Sequence, residues 1–192
     1  MDVLDRVRTG VLEHFGVDAS GVDSASVTFL GLEPIEILRI AEGDVVHYVT
    51  LGGSRHPMGD PNDPVADPVR GPRVELVLSV RSGTALPGVA RALGVLVASP
   101  AVEGVVLQAD ALLDLGEQLW QGSSFTAVLL GESEIEPVTL PEPAEAVRCL
   151  AVTPVTATEA AWVRVRGAQA LRDAWAEAGI DVRDPGRGAA AL

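Results

Sequence analysis

The chain has 192 residues, 47% of them hydrophobic, which is enough to fold as one domain around a sizeable core without disulfides or a structural metal. Its 27 acidic residues outnumber 14 basic ones, all of them arginine, and the net charge of −13 argues against binding to nucleic acids and to anionic membranes. The same charge favours the approach of a basic protein partner.

The first residues and the cysteine content predict a cytoplasmic protein. Residues 1–6 are acidic and lack the order of a secretory signal. The most apolar later stretch, 92–102, has only 11 residues, whereas a membrane-spanning helix needs about 20. Cys149 is the single cysteine, which suits a reducing compartment, and its place in an apolar run predicts a buried, unreactive thiol.

The first quarter of the chain predicts a helix followed by strands. Apolar residues at helical spacing predict a helix over the first fifteen residues, which Gly16 ends. Three strands are predicted next, at 26–30, 35–41 and 45–51. The short turn Glu42-Gly43-Asp44 joins the last two strands as a hairpin.

Residues 52–72 are rich in proline and aspartate, which predicts a long exposed loop. Loops of this length inside a compact domain are usually functional or mobile. Two interpretations stay open here, a contact surface for a partner and an insertion with no function of its own.

The second half of the chain predicts more strands around one apolar helix. A period-two pattern predicts a strand at 73–80, and a buried helix is predicted at 89–98, with Pro100 as its end. Three further strands are predicted, at 105–107, 124–130 and 147–152. An acidic, proline-containing loop is predicted at 132–145.

The clearest local signal is a capping box formed by Thr156 and Glu159 at the start of the final helix. This helix is predicted to run for about twenty residues to Gly179. Its buried stripe is predicted at Val165, Ala168, Leu171 or Arg172, and Trp175. Since glycine and alanine dominate the last residues, we predict a single domain over 1–184 and a flexible tail over 185–192.

The catalytic and metal-binding patterns are incomplete. Gly52-Gly53-Ser54-Arg55-His56 lacks the glycine that the hydrolase elbow places two residues after its serine. The histidines and aspartates of residues 47–67 do not have the spacing of a calcium loop, and the chain has no lysine for a phosphate-binding loop. His47 is predicted to be a structural polar residue of its strand. We expect no catalytic residue, no metal and no cofactor.

Several blocks of the chain resemble the suppressor of fused family. The first is Tyr48 to Met58, which contains Thr50-Leu51-Gly52 and Arg55-His56-Pro57-Met58. The others are the strand Glu75-Leu76-Val77-Leu78, residues 125–130, and the turn Val152-Thr153-Pro154 before Glu159. The resemblance extends over 27–179 and implies an α/β fold of the α+β type, in which a mixed, mainly antiparallel sheet is flanked by helices in a single domain. It offers no catalytic residues to transfer.

The resemblance also implies a protein-binding role. Animal members sequester zinc-finger transcription factors of the Hedgehog pathway, and some bacterial members look like immunity proteins that neutralise toxins. We expect no large C-terminal extension like that of the animal proteins, and the arginine-only composition is typical of a GC-rich bacterial genome. We therefore expect a non-catalytic, cytoplasmic protein-binding module, for which toxin neutralisation is one form and the Hedgehog role is not transferred.

The partner-binding surface is predicted at the end of the first block, from Ser54 to Met58, and on the acidic loop after it. Its residues are Ser54, Arg55, His56, Met58, Asp60, Asp63 and Asp67. The aspartates would attract a basic protein partner, and Arg55 would make a directional contact with it. The alternative is a small-molecule-binding protein or an enzyme with a pocket near Ser54, Arg55 and His56. The oligomeric state stays open, and a structural homo-oligomer is a third interpretation.

Overall fold

The computed structural model describes residues 2–59, 65 and 67–192. The strands are β1 (Asp23–Val27), β2 (Ile35–Glu42), β3 (Val45–Leu51), β4 (Arg73–Arg81), β5 (Leu112–Asp114), β6 (Phe125–Glu132) and β7 (Val147–Thr156). In this part of the chain they form one seven-stranded sheet in the order β1-β2-β3-β4-β7-β6-β5. Only β4 and β7 are parallel, and the other neighbouring pairs are antiparallel. The predicted fold class is confirmed.

Helices cover both faces of the sheet. They are α1 (Val3–Phe15), α2 (Val89–Glu103), α3 (Ala157–Arg166) and α4 (Ala168–Glu177). Because successive side chains of a strand point to opposite faces, Ile37 packs in the same apolar cluster as α2 whereas Leu38 packs with α1. In β6, Val128 joins the cluster of α2 and Leu129 joins that of α3 and α4. The central strands are therefore buried on both faces.

Several predicted boundaries are confirmed by local geometry. Gly16 ends α1 in the left-handed conformation with φ 62°, as expected of a glycine stop. The strand predicted at 45–51 has those bounds. The Thr156 and Glu159 side chains form the predicted capping box at the start of α3.

Pro100 does not end α2, which continues to Glu103. A proline inside a helix leaves the carbonyl four residues earlier without its usual donor. Here the Ser99 hydroxyl donates to that carbonyl, the one of Leu96, at 2.7 Å. The residue before the proline thus replaces the missing hydrogen bond, which explains why the prediction was wrong.

The predicted final helix is in fact two helices, because Gly167 adopts φ 87° and ψ 166° between α3 and α4. The break changes which side chains face the sheet. Leu171 and Trp175 are buried as predicted, but Val165 is 80% exposed. The strand predicted at 26–30 lies earlier, at 23–27, and 105–107 is not a strand.

The C-terminal segment 185–192 contacts the domain at two points. Arg187 and Ala190 are only 7% and 6% exposed, and Arg187 forms an ion pair with Glu159 of α3. Composition does not reveal this contact because only one arginine and one alanine of a glycine- and alanine-rich run make it. The division at residue 184 and the mobility of the tail stay predictions.

None of the helices in the described ranges has both the length and the hydrophobicity that a membrane span requires.

Candidate functional site

A short loop after β3, residues 52–55, is held by a buried carboxylate. Glu75 of β4 is 0% exposed and accepts five hydrogen bonds at 2.6–3.2 Å. The donors are the hydroxyl groups of Thr50 and Ser54 and the backbone N–H groups of Gly52, Gly53 and Ser54. A carboxylate suits this position because it is the one side-chain group that accepts through two oxygens and donates nothing.

The environment acts on the pKa of Glu75 in two opposite ways. Burial is the larger influence and raises the pKa above its ordinary value, because the charged form loses its hydration. The hydrogen bonds from Gly52, Ser54 and Thr50 favour the charged form and oppose that rise. Burial prevails, so this carboxylate is easier to protonate than an exposed one.

Arg73 holds the same loop by donating hydrogen bonds to the loop's backbone carbonyl groups. Its Nη1 donates to the carbonyl oxygens of Ser54 and Arg55 at 2.8 and 2.9 Å, and its Nη2 donates to that of Val69 at 3.2 Å. Arg73 is 5% exposed, and burial lowers the pKa of its guanidinium. Residues 52–55, which we call the clamped loop, therefore lie between a buried acid and a buried base from one strand.

The clamped loop also packs tightly against α2. A Cβ added at Gly53 would lie 2.3 Å from Cγ2 of Val97 and 2.9 Å from the carbonyl oxygen of Val74. Neither neighbour leaves room for a side chain, so glycine is required here by close approach of the backbone. Helix, strand and buried charges together specify one position for the loop.

Arg55 of the clamped loop and His56, the residue after it, place two polar side chains at the surface. Nε of Arg55 lies 3.2 Å from the carboxylate of Glu33, and Nη2 of Arg55 donates to the carbonyl oxygen of Pro34 at 3.0 Å. Nε2 of His56 lies 3.2 Å from the same Glu33 carboxylate. The side chains of Arg55 and His56 are 25% and 77% exposed.

These side chains stand beside a cavity of about 120 Å³. Its apolar wall is formed by Leu32, Ile35, Met58, Val97, Pro100 and Ala101. Glu33, Arg55 and His56 supply the polar part of the lining. The cavity is large enough for one side chain of a partner, and it is smaller than the roughly 300–1,000 Å³ that is usual for small-molecule sites. We call the cavity and its polar lining the loop surface.

The structure assigns different positions to the predicted site residues. Ser54 is 0% exposed and donates its hydroxyl to Glu75, so it supports the loop from inside. Met58 is 4% exposed and lines the cavity. Asp67 is exposed and accepts from the N–H groups of Val69 and Arg70 at 2.8 and 2.9 Å, which lowers the pKa of its carboxyl group. Asp60 and Asp63 lie outside the described residues.

Sequence reasoning missed Glu75, Arg73 and Glu33 as parts of this site. Arg73 and Glu75 alternate with apolar residues, which is typical of a strand with one exposed face. In the structure both faces of β4 are covered, so these charges are buried. Two opposite charges two residues apart on a central strand were the signal that was available.

The other candidate groups have structural surroundings. Nδ1 of His47 lies 2.8 Å from the Ser79 hydroxyl, and Nε2 lies 3.3 Å from the Glu42 carboxylate. Burial lowers the pKa of His47 although the hydrogen bond to Glu42 opposes this. Its ring packs 4.5 Å from that of Phe15, as expected of a structural residue. Among the described residues, no three His, Cys, Asp or Glu side chains are grouped so as to hold a metal ion.

Comparison with known proteins assigns a family to this chain. The family described as Suppressor of fused protein (SUFU) matches residues 31–188. The chain belongs to the SUFU family. No curated protein has a significant sequence match to this SUFU chain.

Solved structures share the fold of this SUFU chain. A SUFU homolog from Neisseria gonorrhoeae aligns with a TM-score of 0.65 and 18% identity over 96% of this chain and 94% of its own. A chain of the Sufu-Fu complex aligns with a TM-score of 0.68 and 12% identity over 97% of this chain and 91% of its own. Drosophila Suppressor of Fused aligns with a TM-score of 0.62 and 13% identity over 98% of this chain, which spans 50% of the Drosophila chain.

Proposed function

We propose that this chain is a non-catalytic protein-binding module and that the loop surface contacts its partner. The observation that carries the proposal is the clamp, in which Glu75 and Arg73 are both buried to hold one four-residue loop. Burying charges costs free energy, and a binding surface benefits when its support is rigid. A loop that is already ordered loses little conformational entropy when a partner binds.

The composition of the loop surface supports a protein partner. It combines one apolar cavity with an arginine and a histidine at its edge. Arginine is enriched among the residues that dominate protein interfaces, and an apolar cavity can accept a partner's anchoring side chain. One structural relative, Sufu, is held in a complex with Fu, and that association supports the same class of function here.

The charge of the chain supports a basic partner. The net charge of −13 would accelerate encounter with a positively charged protein. We propose that Asp60, Asp63 and Asp67 contribute to this attraction, while Arg55 and His56 give contacts of defined geometry. A toxin-neutralising role in a bacterial cytoplasm is the finer form of this proposal, because an acidic protein suits a basic toxin.

The rival is a small-molecule-binding protein or an enzyme at the same cavity. The position of Arg55 and His56 beside the cavity favours it. The environment of Ser54 argues against a serine nucleophile, because the hydroxyl is buried and donates at 2.6 Å to a carboxylate. Ser54 is not among the residues that line the cavity.

Affinity capture with matched variants tests the proposal. The wild-type chain, the double variant Arg55→Ala/His56→Ala and the control Arg164→Ala are each used to retain proteins from a lysate of the native host. Arg164 is a fair control because, like Arg55, it is partly exposed and paired with a surface carboxylate, that of Asp114 at 2.8 Å. All three proteins are first compared by circular dichroism.

We expect one protein to be retained in stoichiometric amount by the wild type and the control and to be lost from the double variant. Retention should fall with rising salt, since the proposed attraction is electrostatic. Equal retention by all three proteins would reject the loop surface. Retention of small molecules alone would reject the binding-module function itself. If the partner is a toxin, coexpression with the wild type and not with the double variant should restore growth.

A further inference from the structure

A second buried carboxylate, at the other end of the sheet, binds a guanidinium group of the C-terminal segment. Glu159 of α3 and Arg187 have side chains that are 0% and 5% exposed. Nη1 of Arg187 lies 2.8 Å from Oε1 of Glu159, and Nη2 lies 3.3 Å from Oε2. Nη2 also donates to the carbonyl oxygen of Pro154 at 2.7 Å. The ion pair is therefore two-pronged, an arrangement that arginine forms and lysine cannot.

Aromatic rings complete this guanidinium site. The guanidinium carbon lies 4.9 Å from the centroid of Phe125 and 5.2 Å from that of Trp175. Rings at these distances attract a cation through their quadrupoles. Trp175 also donates its indole N–H to Glu159 at 2.8 Å, which fixes the carboxylate. We call Pro154, Glu159, Phe125 and Trp175 the Glu159 socket.

The socket and its occupant come from different kinds of structure. The socket residues belong to β6, β7, α3 and α4, which are core elements. The occupant is residues 185–192, which follow the last helix and in which only Arg187 and Ala190 are buried. The backbone N–H of Ala190 adds one hydrogen bond to Glu159 at 3.0 Å. Thus the recognition chemistry is built into the fold, and a short segment with two anchors fills it.

We propose that the Glu159 socket is a binding site for an arginine side chain of a partner protein, occupied in cis by Arg187 and opened by displacement of residues 185–192. An empty socket would leave a buried carboxylate without its cation, which is strongly unfavourable. We therefore expect a partner's arginine to replace Arg187 directly, without a populated state in which the socket is empty. The acidic chain favours a partner that carries arginine.

This site is separate from the loop surface. In the parallel pair of β4 and β7, Arg73 lies opposite Val147 at the start of β7, whereas the socket begins at Pro154 near its end. The two surfaces are therefore at opposite ends of the sheet. The inference does not depend on the proposed role of the loop surface.

Chemical rescue of Arg187→Ala tests the socket. N-acetyl-arginine amide is added to the variant and to the wild type, and thermal unfolding is followed by circular dichroism. At ten times its Kd the ligand should raise the Tm of the variant by about 3–6 °C, without a matching shift in the wild type. N-acetyl-lysine amide should have much less effect. Equal shifts in variant and wild type, or equal shifts with the two ligands, would overturn the proposal.

The double variant Arg187→Ala/Glu159→Gln is the matched control, because it keeps the shape of the socket and removes its charge. It should not be rescued. Since Arg187→Ala removes the cation of a buried pair, the wild-type chain supplies a second test that needs no variant to fold. In the wild-type chain, hydrogen exchange of the Ala190 amide reports displacement of residues 185–192 from the socket.

The probe is a peptide with the sequence of residues 185–192, compared with the same peptide carrying alanine for Arg187. Arg187 is part of the same chain as the socket, so it competes with an added peptide at an effective concentration of about 1 mM. The peptides are therefore used at concentrations up to about 10 mM. We expect the arginine peptide to accelerate exchange of the Ala190 amide at least about twofold at that concentration and the alanine peptide to have no effect. Unchanged exchange, or the same change with both peptides, would overturn displacement.

Discussion

Substituting glutamine for Glu75 should weaken the clamp without changing the size of the side chain. In the structure one carboxylate oxygen accepts from Gly52 N–H and from the N–H and hydroxyl of Ser54. The other oxygen accepts from the Thr50 hydroxyl and from Gly53 N–H. In glutamine an amide nitrogen replaces one oxygen, so at best the first three donors keep an acceptor and the last two face a donor.

Each buried donor left without an acceptor costs about 1–3 kcal/mol, so the two together cost about 2–6 kcal/mol. Part of this is offset because glutamine carries no charge to bury. We therefore expect Glu75→Gln to lower the free energy of unfolding by about 2–4 kcal/mol. At about 2–4 °C per kcal/mol for a chain of this size, the Tm should fall by at least about 4 °C.

Urea unfolding at pH 7, followed by circular dichroism, measures the change in free energy, and hydrogen exchange of Gly52, Gly53 and Ser54 locates it. The control Glu33→Gln alters a carboxylate that is 57% exposed and should stay within about 0.5 kcal/mol of the wild type. If Glu75→Gln were as stable as the control and its loop amides were equally protected, the clamp would not stabilise the loop. That result would also remove the main support for the proposed binding surface.

Three further outcomes are expected. Gly53→Ala should destabilise the chain by about 1–3 kcal/mol in urea unfolding. The control Gly59→Ala should be nearly neutral, because a Cβ added there meets nothing within 4 Å. Equal effects of the two substitutions would contradict the close approach of Gly53 to α2. Burial raises the pKa of the Cys149 thiol to about 12. Labelling by a thiol reagent at pH 8 should therefore be roughly a thousandfold or more slower in the native chain than in the urea-unfolded chain. Rapid labelling of the native chain would refute the burial of this thiol. Burial acts to raise the pKa of Glu159, but hydrogen bonds from Arg187, Thr156 and Trp175 outweigh it and lower the pKa. Its contribution to stability should therefore be complete above the unfolded pKa of about 4.3 and be lost as the pH falls through the lower folded value, which a comparison with Glu159→Gln from pH 7 to pH 2 would show. A stability difference that is independent of pH would contradict the charged state of Glu159.

The spacing of apolar residues and the helix-capping residues predicted most of the fold, because both signals involve only a few neighbouring residues. Val45–Leu51 is apolar with a glycine turn before it, and Thr156 and Glu159 are only three residues apart, so both were recognisable. The break at Gly167 was missed because a single glycine inside a helical pattern is usually tolerated. Continuation of α2 through Pro100 was missed because it depends on the particular hydrogen bond of Ser99.

The candidate site could be predicted only in part, for a different reason. The loop, the partly exposed Arg55 and the exposed His56 follow from a glycine- and proline-rich segment after a strand. The buried side chains that hold the loop could not be predicted in this way. Glu75 forms hydrogen bonds with residues 21–25 positions away, and Arg73 forms one with Ser54, 19 positions away. Periodicity indicates which face of a strand a residue occupies. It does not show that a polar residue on that face has buried partners elsewhere in the chain.

The two buried glutamates show how partner chemistry separates a fixed surface from an exchangeable one. Glu75 accepts from uncharged groups of the clamped loop and from the Thr50 hydroxyl, and burial prevails in raising its pKa. Glu159 has a cation as partner, and its pKa is lowered. The donors of Glu75 belong to the clamped loop and to the adjoining end of β3, so no other molecule can replace them and the loop is held in one place. The cation of Glu159 comes from a segment with two buried side chains, so an arginine of equal chemistry can take its place. We therefore propose that the fold combines a rigid contact surface at one end of the sheet with a site open to competition at the other.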